Sequence, residues 1–203
     1  MKKLAVLVMM IAIATFMAAA MASADDRAGK KAIEGEYAFT GPGNCLVSTT
    51  GFDSNYAPNP GGQVFAVTQI WEGVYTFKRD GSGTITASHR SLDLPAGPIE
   101  LANISWDFSY TMTDNERFTS NATSLDKVEW TAGPQAKTIS YFEIDGPCDG
   151  VVSLDGQNLN ATCGPPTILN LFVPVPPTFV KTPVQAYCSF SHVGIRVREE
   201  RER

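Results

Sequence analysis

The sequence is short of the residues on which many enzymes and nucleic-acid-binding proteins rely. Only two histidines occur in 203 residues, and acidic residues outnumber lysine and arginine by 21 to 16. Because nucleic acids and anionic membrane surfaces repel an acidic protein, we expect neither as a partner. The sequence also lacks Gly-x-Ser-x-Gly, His-Glu-x-x-His, Walker and Gly-x-Gly-x-x-Gly motifs. Enzyme function is therefore not indicated by any common catalytic signature.

Only one long apolar run is present, and it stands at the N-terminus. Lys2 and Lys3 precede it, it covers residues 4–20, and Ala22-Ser23-Ala24 follows. This order is typical of a bacterial secretory signal peptide, for which we predict cleavage after Ala24. No second such run follows, so we expect no transmembrane helix and no membrane insertion. Because cleavage removes Lys2 and Lys3, the net charge would change from −5 for the whole chain to −7 for the exported chain that begins at Asp25. We expect the exported protein to be periplasmic or secreted.

Four cysteines remain, and none forms a Cys-x-x-Cys motif or stands near a histidine at a zinc-ligand spacing. We therefore expect no metal and no cofactor. An even number of cysteines in an exported chain indicates two disulfides, for which sequence alone allows three pairings. We favour Cys148–Cys163 as a local bond and Cys45–Cys188 as a bond between the first and last strand regions. The second bond would suit a barrel, whose terminal strands are neighbours.

Helical periodicity is almost absent after residue 24, whereas alternation with period two is frequent, which predicts β-strands. The clearest strand, Asn103–Thr113, has one apolar face, formed by Ile104, Trp106, Phe108, Tyr110 and Met112. The long run Val64–Lys78 contains Gly73, where we expect a kink or bulge. Asp80-Gly81-Ser82-Gly83 follows it as a turn, and Thr84–Arg90 as the returning strand, which predicts a β-hairpin.

Further strands are expected at Gly35–Thr40, Cys45–Thr49, Arg117–Ala122, Asp126–Thr131, Thr138–Ile144, Val151–Leu154, Leu159–Cys163 and Ala186–Val197. Turn residues separate them at Gly41-Pro42-Gly43, Ala132-Gly133-Pro134, Asp145-Gly146-Pro147 and Asp155-Gly156. Phe52–Gly62 is expected to be a surface loop. Because proline interrupts strand pairing, Gly164–Pro183 is interpreted as a proline-rich flap, either an extended segment or an edge strand.

Eight to ten short strands at regular spacing indicate a single all-β domain over residues 25–195, with a charged tail over 196–203. We favour an antiparallel β-barrel, with a β-sandwich as the alternative. Gly35-Glu36-Tyr37 and Arg196 resemble, at a handful of residues, the first-strand Gly-x-Trp and late arginine of the lipocalins and related calycins, with tyrosine in place of tryptophan. No Thr-Asp-Tyr-like second motif is found. The resemblance implies a lipocalin-like barrel that holds a ligand in its cup, by analogy only.

The candidate ligand-binding residues are those of the aromatic strand faces together with two polar side chains, namely Trp71, Tyr75, Trp106, Phe108, Tyr110, Gln69 and His89. A filled hydrophobic core is one interpretation, since small barrels are often packed by their own side chains. The other is an apolar cavity in which a few polar groups orient a small ligand. The sequence leaves both open.

The titratable residues offer weaker signals. His89 shares alternation with Ile85 and Ala87, but its position at the predicted strand end favours exposure, and His192 is expected to be partly buried and hydrogen-bonded. Residues 145–156 fail the EF-hand pattern at positions three and twelve. The carboxylates that we considered for catalysis are Asp107, Asp114, Glu116, Glu129 and Glu143. Most of them are expected on the outside of the barrel, and the orientation of Glu143 is the least certain.

Three functions remain as hypotheses. The first is an exported barrel that binds a small apolar or amphipathic ligand. The second is a structural or adhesive domain with a filled core, whose loops contact an envelope protein or polymer. The third is a hydrolase or isomerase in the barrel mouth, which would need a histidine beside a carboxylate in a cavity.

Overall fold

The computed structural model describes residues 33–94, 99–133, 135–175 and 178–197. The predicted signal peptide lies outside these residues. The described chain is all-β, and its strands form one antiparallel sheet. In chain order the ten strands are β1 (Gly35–Ser48), β2 (Val64–Phe77), β3 (Ser82–Leu94), β4 (Ile99–Met112), β5 (Arg117–Ala122), β6 (Asp126–Ala132), β7 (Ile139–Asp145), β8 (Cys148–Val152), β9 (Asn158–Val175) and β10 (Thr178–Arg196).

The four first strands pair in sequence order, and β1 also pairs with β10. Strand β4 is long enough to pair with β6 along one half and with β5 along the other. Strand β9 does the same with β7 and β8, and it also pairs with β10. Two pairing routes therefore lead from β4 to β9, one through β5 and β8 and one through β6 and β7.

The sheet has two ends, which we name by the connections found there. The upper end carries the connection 49–63, the end of β3 and the start of β4, the end of β6 and the start of β7, and the end of β9 and the start of β10. The lower end carries 78–81, 113–116 and 153–157, together with the start of β1 and the end of β10. Buried side chains from both ends form one continuous hydrophobic cluster on the inner face of the sheet.

The proline-rich segment is the main difference from the sequence prediction of a flap. Residues 164–175 belong to β9 and residues 178–183 to β10, and the two long strands pair with each other. Thr167 pairs with Cys188 and Cys163 with Phe190, so residues 164–166 form an irregularity that contains two prolines. A second register shift, between residues 181 and 185, contains Pro183. These three prolines are tolerated because the register shifts remove them from the regular ladder.

The predicted turn at Gly41-Pro42-Gly43 is also wrong, since β1 runs through it. A Cβ atom at residue 41 would lie 1.8 Å from the carbonyl oxygen of Ser191, so only glycine allows β10 to approach this closely. A Cβ atom at residue 43 would lie 3.1 Å from the indole nitrogen of Trp71. These glycines therefore provide interior space and close strand contact, and they do not form a turn.

Gly73 has a similar role, because the register of β2 passes through it without the bulge that we expected. A Cβ atom there would lie 2.4 Å from the Cβ atom of Ala87 on β3. The predicted hairpin between β2 and β3 is present, with its turn at residues 78–81. Close strand packing accounts for the mid-strand glycine.

Two disulfides connect Cys45 to Cys188 and Cys148 to Cys163, which is the pairing favoured above. The first joins paired residues of β1 and β10 and links positions 143 residues apart in sequence. Strand β10 includes Arg196, the first residue of the segment that we assigned to a tail. The guanidinium of Arg196 lies 5.9 Å from the centre of the Tyr37 ring and bonds the carbonyl oxygen of Glu34.

Candidate functional site

The inner face of the sheet encloses two cavities of different size. The upper cavity has a volume of about 190 Å³ and lies between the upper halves of the strands. The inner cavity lies below it and has a volume of only about 30 Å³, which is close to the volume that one water molecule occupies in the liquid. Of these two, only the upper cavity is large enough for an organic ligand.

The wall of the upper cavity is mainly apolar, with polar side chains at a few points. Its apolar residues come from six strands and include Val47, Phe65, Val67, Val128, Phe142, Leu169, Leu171, Val184 and Ala186. Its polar residues are Gln69, His89, Ser91, Glu100, Asp126, Gln135 and Ser140. Two tryptophans, Trp71 and Trp130, complete the wall. A mainly apolar cavity with convergent polar groups is typical of a small-molecule site.

His89 lies in the wall of the upper cavity, which contradicts its predicted exposure. Strand β3 continues to Leu94, five residues past His89, and the side chain is only 4% exposed. Its ring lies 5.4 Å from those of Trp71 and Trp130, and neither ring nitrogen has a hydrogen-bond partner. Burial lowers the pKa of His89 to about 4, because an imidazolium would lose its hydration. The ring is therefore neutral at pH 7, with one donor and one acceptor unused.

Asp126 is the second buried ionisable residue of the cavity wall, and the sequence analysis missed it. It begins β6, is 3% exposed and lines both cavities. Its Oδ1 atom has no hydrogen-bond partner. Burial raises the pKa of Asp126 well above its usual value, and a backbone hydrogen bond from Ser105 offsets this in part. The sequence signal was present, because Asp126 alternates with Val128 and Trp130.

Glu100 and Ser91 were missed for a different reason. Both line the upper cavity and are buried, Glu100 at 9% and Ser91 at 3% exposure. Each lies outside the strand bounds that we predicted, because β3 extends beyond Arg90 and β4 begins before Asn103. Period-two alternation, continued beyond those bounds, would have placed both residues on the inner face.

The seven predicted ligand-binding residues are not all in one place. Trp71, Gln69 and His89 line the upper cavity, where the indole nitrogen of Trp71 donates to Gln69 Oε1 at 2.9 Å. Tyr75, Trp106 and Phe108 line only the inner cavity. Tyr110 lies at the lower end, where its hydroxyl donates to the carbonyl oxygen of Lys78 at 2.7 Å. The structure thus brings three of the seven to the larger cavity.

His192 lines the inner cavity and is 2% exposed, more buried than expected. Its Nδ1 atom lies 2.6 Å from the hydroxyl of Tyr75, while its Nε2 atom has no partner. Burial raises the pKa of the Tyr75 phenol, which therefore keeps its proton, and lowers the pKa of His192 to about 4. When the phenol donates to Nδ1, the neutral ring carries its own proton on Nε2.

The carboxylates that we considered for catalysis lie outside the walls of both cavities: Asp107, Asp114, Glu116, Glu129 and Glu143. Within the described part of the chain, no group of three histidine, cysteine, aspartate or glutamate residues is placed to hold a metal ion. The described residues also include no helix of the length and hydropathy needed to cross a membrane. Comparison with known proteins finds no matching family model, curated protein or solved structure.

Proposed function

We propose that the protein is an exported β-barrel that binds a small, mainly apolar ligand in its upper cavity. The strands pair in a ring that starts at β10, runs through β1 to β4, continues by either of the two routes to β9 and returns to β10. Each of the two rings contains eight strands, and this favours a closed barrel over a sandwich. The two disulfides are typical of proteins in oxidising compartments outside the cytoplasm. Together with the predicted leader, they support a periplasmic or secreted location.

The observation that carries this proposal is the state of His89. A buried imidazole with neither nitrogen bonded costs free energy, because both groups lose their hydrogen bonds to water. Buried polar groups without hydrogen bonds are rare in native proteins. A ligand that forms hydrogen bonds with both ring nitrogens would explain why this one is present. The location of His89 in the wall of a mainly apolar cavity gives such a ligand both a polar anchor and a place for its apolar part.

The size of the cavity limits the ligand to about one ring with a short substituent. An engineered protein cavity of about 150 Å³ takes up benzene, and the upper cavity is somewhat larger at about 190 Å³. We therefore choose 2-phenylethanol as a neutral probe, since it combines one ring with one hydroxyl. Its binding should change the fluorescence of Trp71 and Trp130, which line the cavity.

The test compares two alanine-to-phenylalanine variants. Ala186 is 8% exposed and lines the cavity, so Ala186→Phe should fill it and abolish binding of the probe. Ala38 is exposed on the outer face of β1, so Ala38→Phe should leave binding unchanged. Native mass spectrometry of protein purified with its leader processed should also show a discrete extra mass that is lost on denaturation. Equal binding of the probe by the two variants, or no binding by the wild type, would contradict the proposal.

Acid–base chemistry at the same site is a second candidate function. It is supported by the presence of His89, Glu100 and Asp126 in the wall of one cavity. A neutral histidine can accept a proton and a protonated carboxyl group can donate one, as an isomerase or hydrolase requires. Turnover of a bound natural ligand that is lost in His89→Gln, with binding retained, would establish this function over binding alone.

A further inference from the structure

Apart from His89, the ionisable side chains in the wall of the upper cavity are all acidic. Two carboxyl side chains, Glu100 and Asp126, belong to its wall. No lysine or arginine occurs among the described residues that line it. A ligand with a carboxylate or phosphate group would therefore meet two acidic groups and no basic partner, which makes an anion a poor occupant.

The aromatic part of the wall supports the opposite choice. Trp71 and Trp130 flank His89, and Phe65 and Phe142 lie in the same wall. The faces of aromatic rings attract cations, most strongly where water is excluded, and tryptophan is the best of them. Carboxyl oxygens and aromatic faces together are the groups that bind an organic ammonium ion.

We propose that the upper cavity selects a small organic cation, a primary amine carried on a single aromatic or aliphatic group. This inference rests on the proposed function and names its ligand class. The ammonium group bonds Asp126, whose Oδ1 atom has no partner within the protein. The neutral ring of His89 accepts a second hydrogen bond, and the apolar part of the ligand packs against Val67, Val128 and Leu169.

Binding of this kind involves a proton at Asp126. Since burial favours the protonated carboxyl group in the free protein, an arriving ammonium ion forms its ion pair by displacing that proton to solvent. The net charge of the cavity therefore does not change on binding, because one cation enters as one carboxylate forms. The titratable groups that face Asp126 across the two cavities are His89, Glu100, Tyr75 and His192. Amine affinity should therefore fall in acid, by up to about tenfold per pH unit below the pKa of Asp126.

Three ligands of matched shape and different charge test the inference on the full exported protein with both disulfides intact. They are 2-phenylethylamine, 2-phenylethanol and 3-phenylpropionate, titrated by tryptophan fluorescence and by calorimetry. We expect the amine to bind at least about tenfold more tightly than the alcohol, and the carboxylate to bind most weakly. Calorimetry in buffers of different protonation enthalpy should show about one proton released with the amine and none with the alcohol.

Two aspartate-to-asparagine variants identify the residue responsible. Asp126→Asn should lose the preference for the amine and the proton release, while its binding of 2-phenylethanol shows that the cavity is still formed. Asp107→Asn is the matched control, because Asp107 is exposed on the outer face of β4 and lines neither cavity. It should keep the preference of the wild type.

The outcomes separate this inference from the proposed function. If the amine and the alcohol bind equally well, the cavity binds ligands but does not select cations, and only the inference is overturned. The same holds if Asp126→Asn keeps the full preference, or if the carboxylate binds most tightly. If none of the three ligands binds, the proposed function fails together with the inference.

Discussion

The two ends of the inner face are built by the same alternation of strand residues, yet they differ in how they are filled. At the lower end, the ring of Phe77 contacts five other aromatic rings at centroid distances of 5.2–5.8 Å. At the upper end, inward positions are taken by smaller residues such as Ser91 and Ala186, and the cavity remains between them. Strand alternation thus determines which residues face inward, whereas their sizes determine whether the interior closes.

The difference in packing should appear first in stability. Phe77 is 2% exposed, so Phe77→Ala removes a ring from a closely packed cluster and should cost about 3–5 kcal/mol of unfolding free energy. Phe142 is only partly buried and lines the upper cavity. The same substitution there should cost about 1–2 kcal/mol, since less apolar surface is lost from the interior. Denaturant titration with the disulfides intact measures both values.

The matched pair keeps the chemical change constant, so the difference between the two variants reports only the surroundings. Equal losses would mean that the two ends are packed alike and that the upper cavity closes in solution. A larger loss for Phe142→Ala would reverse the comparison.

A smaller effect should appear in the dependence of stability on pH. Burial lowers the pKa of His89 and His192 to about 4, whereas in the unfolded chain both titrate near 6.5. As the pH falls from 6.5 to 4, the unfolded chain takes up protons that the native state excludes. Each histidine therefore contributes stability that is complete above pH 6.5 and is lost in acid, by on the order of 3 kcal/mol at most.

Asp126 acts with the opposite sign, since its raised pKa lets the native state keep a proton that the unfolded chain releases above about pH 4. Because the two histidines lower the stability as the pH falls from 6.5 to 4 and only Asp126 raises it, the three residues together lower the stability in acid. His89→Gln and His192→Gln should each reduce the slope between pH 4 and 6.5, and Asp126→Asn should increase it. Unfolding midpoints at three pH values across that window measure the slopes, and an unchanged slope in His89→Gln would show that this ring is solvated.

Much of the fold follows from local sequence pattern. Period-two alternation predicted the all-β class and the hairpin of β2 and β3, and the cysteine count predicted two disulfides. The errors occurred where tertiary packing overrides a local signal. Gly41 and Pro42 have the composition of a turn but lie within a strand, because the approach of β10 requires a residue without a side chain there.

The candidate site was predicted less well, and the reason is physical. Polar residues at strand ends are common on surfaces, so the position of His89 beside Arg90 outweighed its alternation with Ile85 and Ala87. Only the pairing of β3 with β2 and β4 shows that the strand continues and that its end is covered. Asp126 could have been found, since its alternation with Val128 was visible, but a buried aspartate contradicts the usual preference of that residue.

The smallest expected effect concerns the loops at the two ends. At the upper end, Gln185 accepts a hydrogen bond from the amide of Phe52 at 2.8 Å and donates one to Asn170 at 2.7 Å, which attaches the loop 52–62 to β9 and β10. At the lower end, Ser153 Oγ accepts from the amides of Gln157 and Asn158. Gln185→Ala and Ser153→Ala should each cost about 1 kcal/mol.

These two losses should be local, because each loop opens without unfolding the sheet. Gln185→Ala should accelerate hydrogen exchange at the amide of Phe52 and leave that of Gln157 unchanged, and Ser153→Ala should do the reverse.

If the upper loop also controls entry to the cavity, Gln185→Ala will raise the association and dissociation rates of 2-phenylethanol together, at constant affinity. Because loop 52–62 packs on the outer side of β10, as the 5.3 Å separation of the Tyr56 and Tyr187 rings shows, we expect these rates to stay the same. A change in both rates would mean that the loop reaches over the mouth of the cavity.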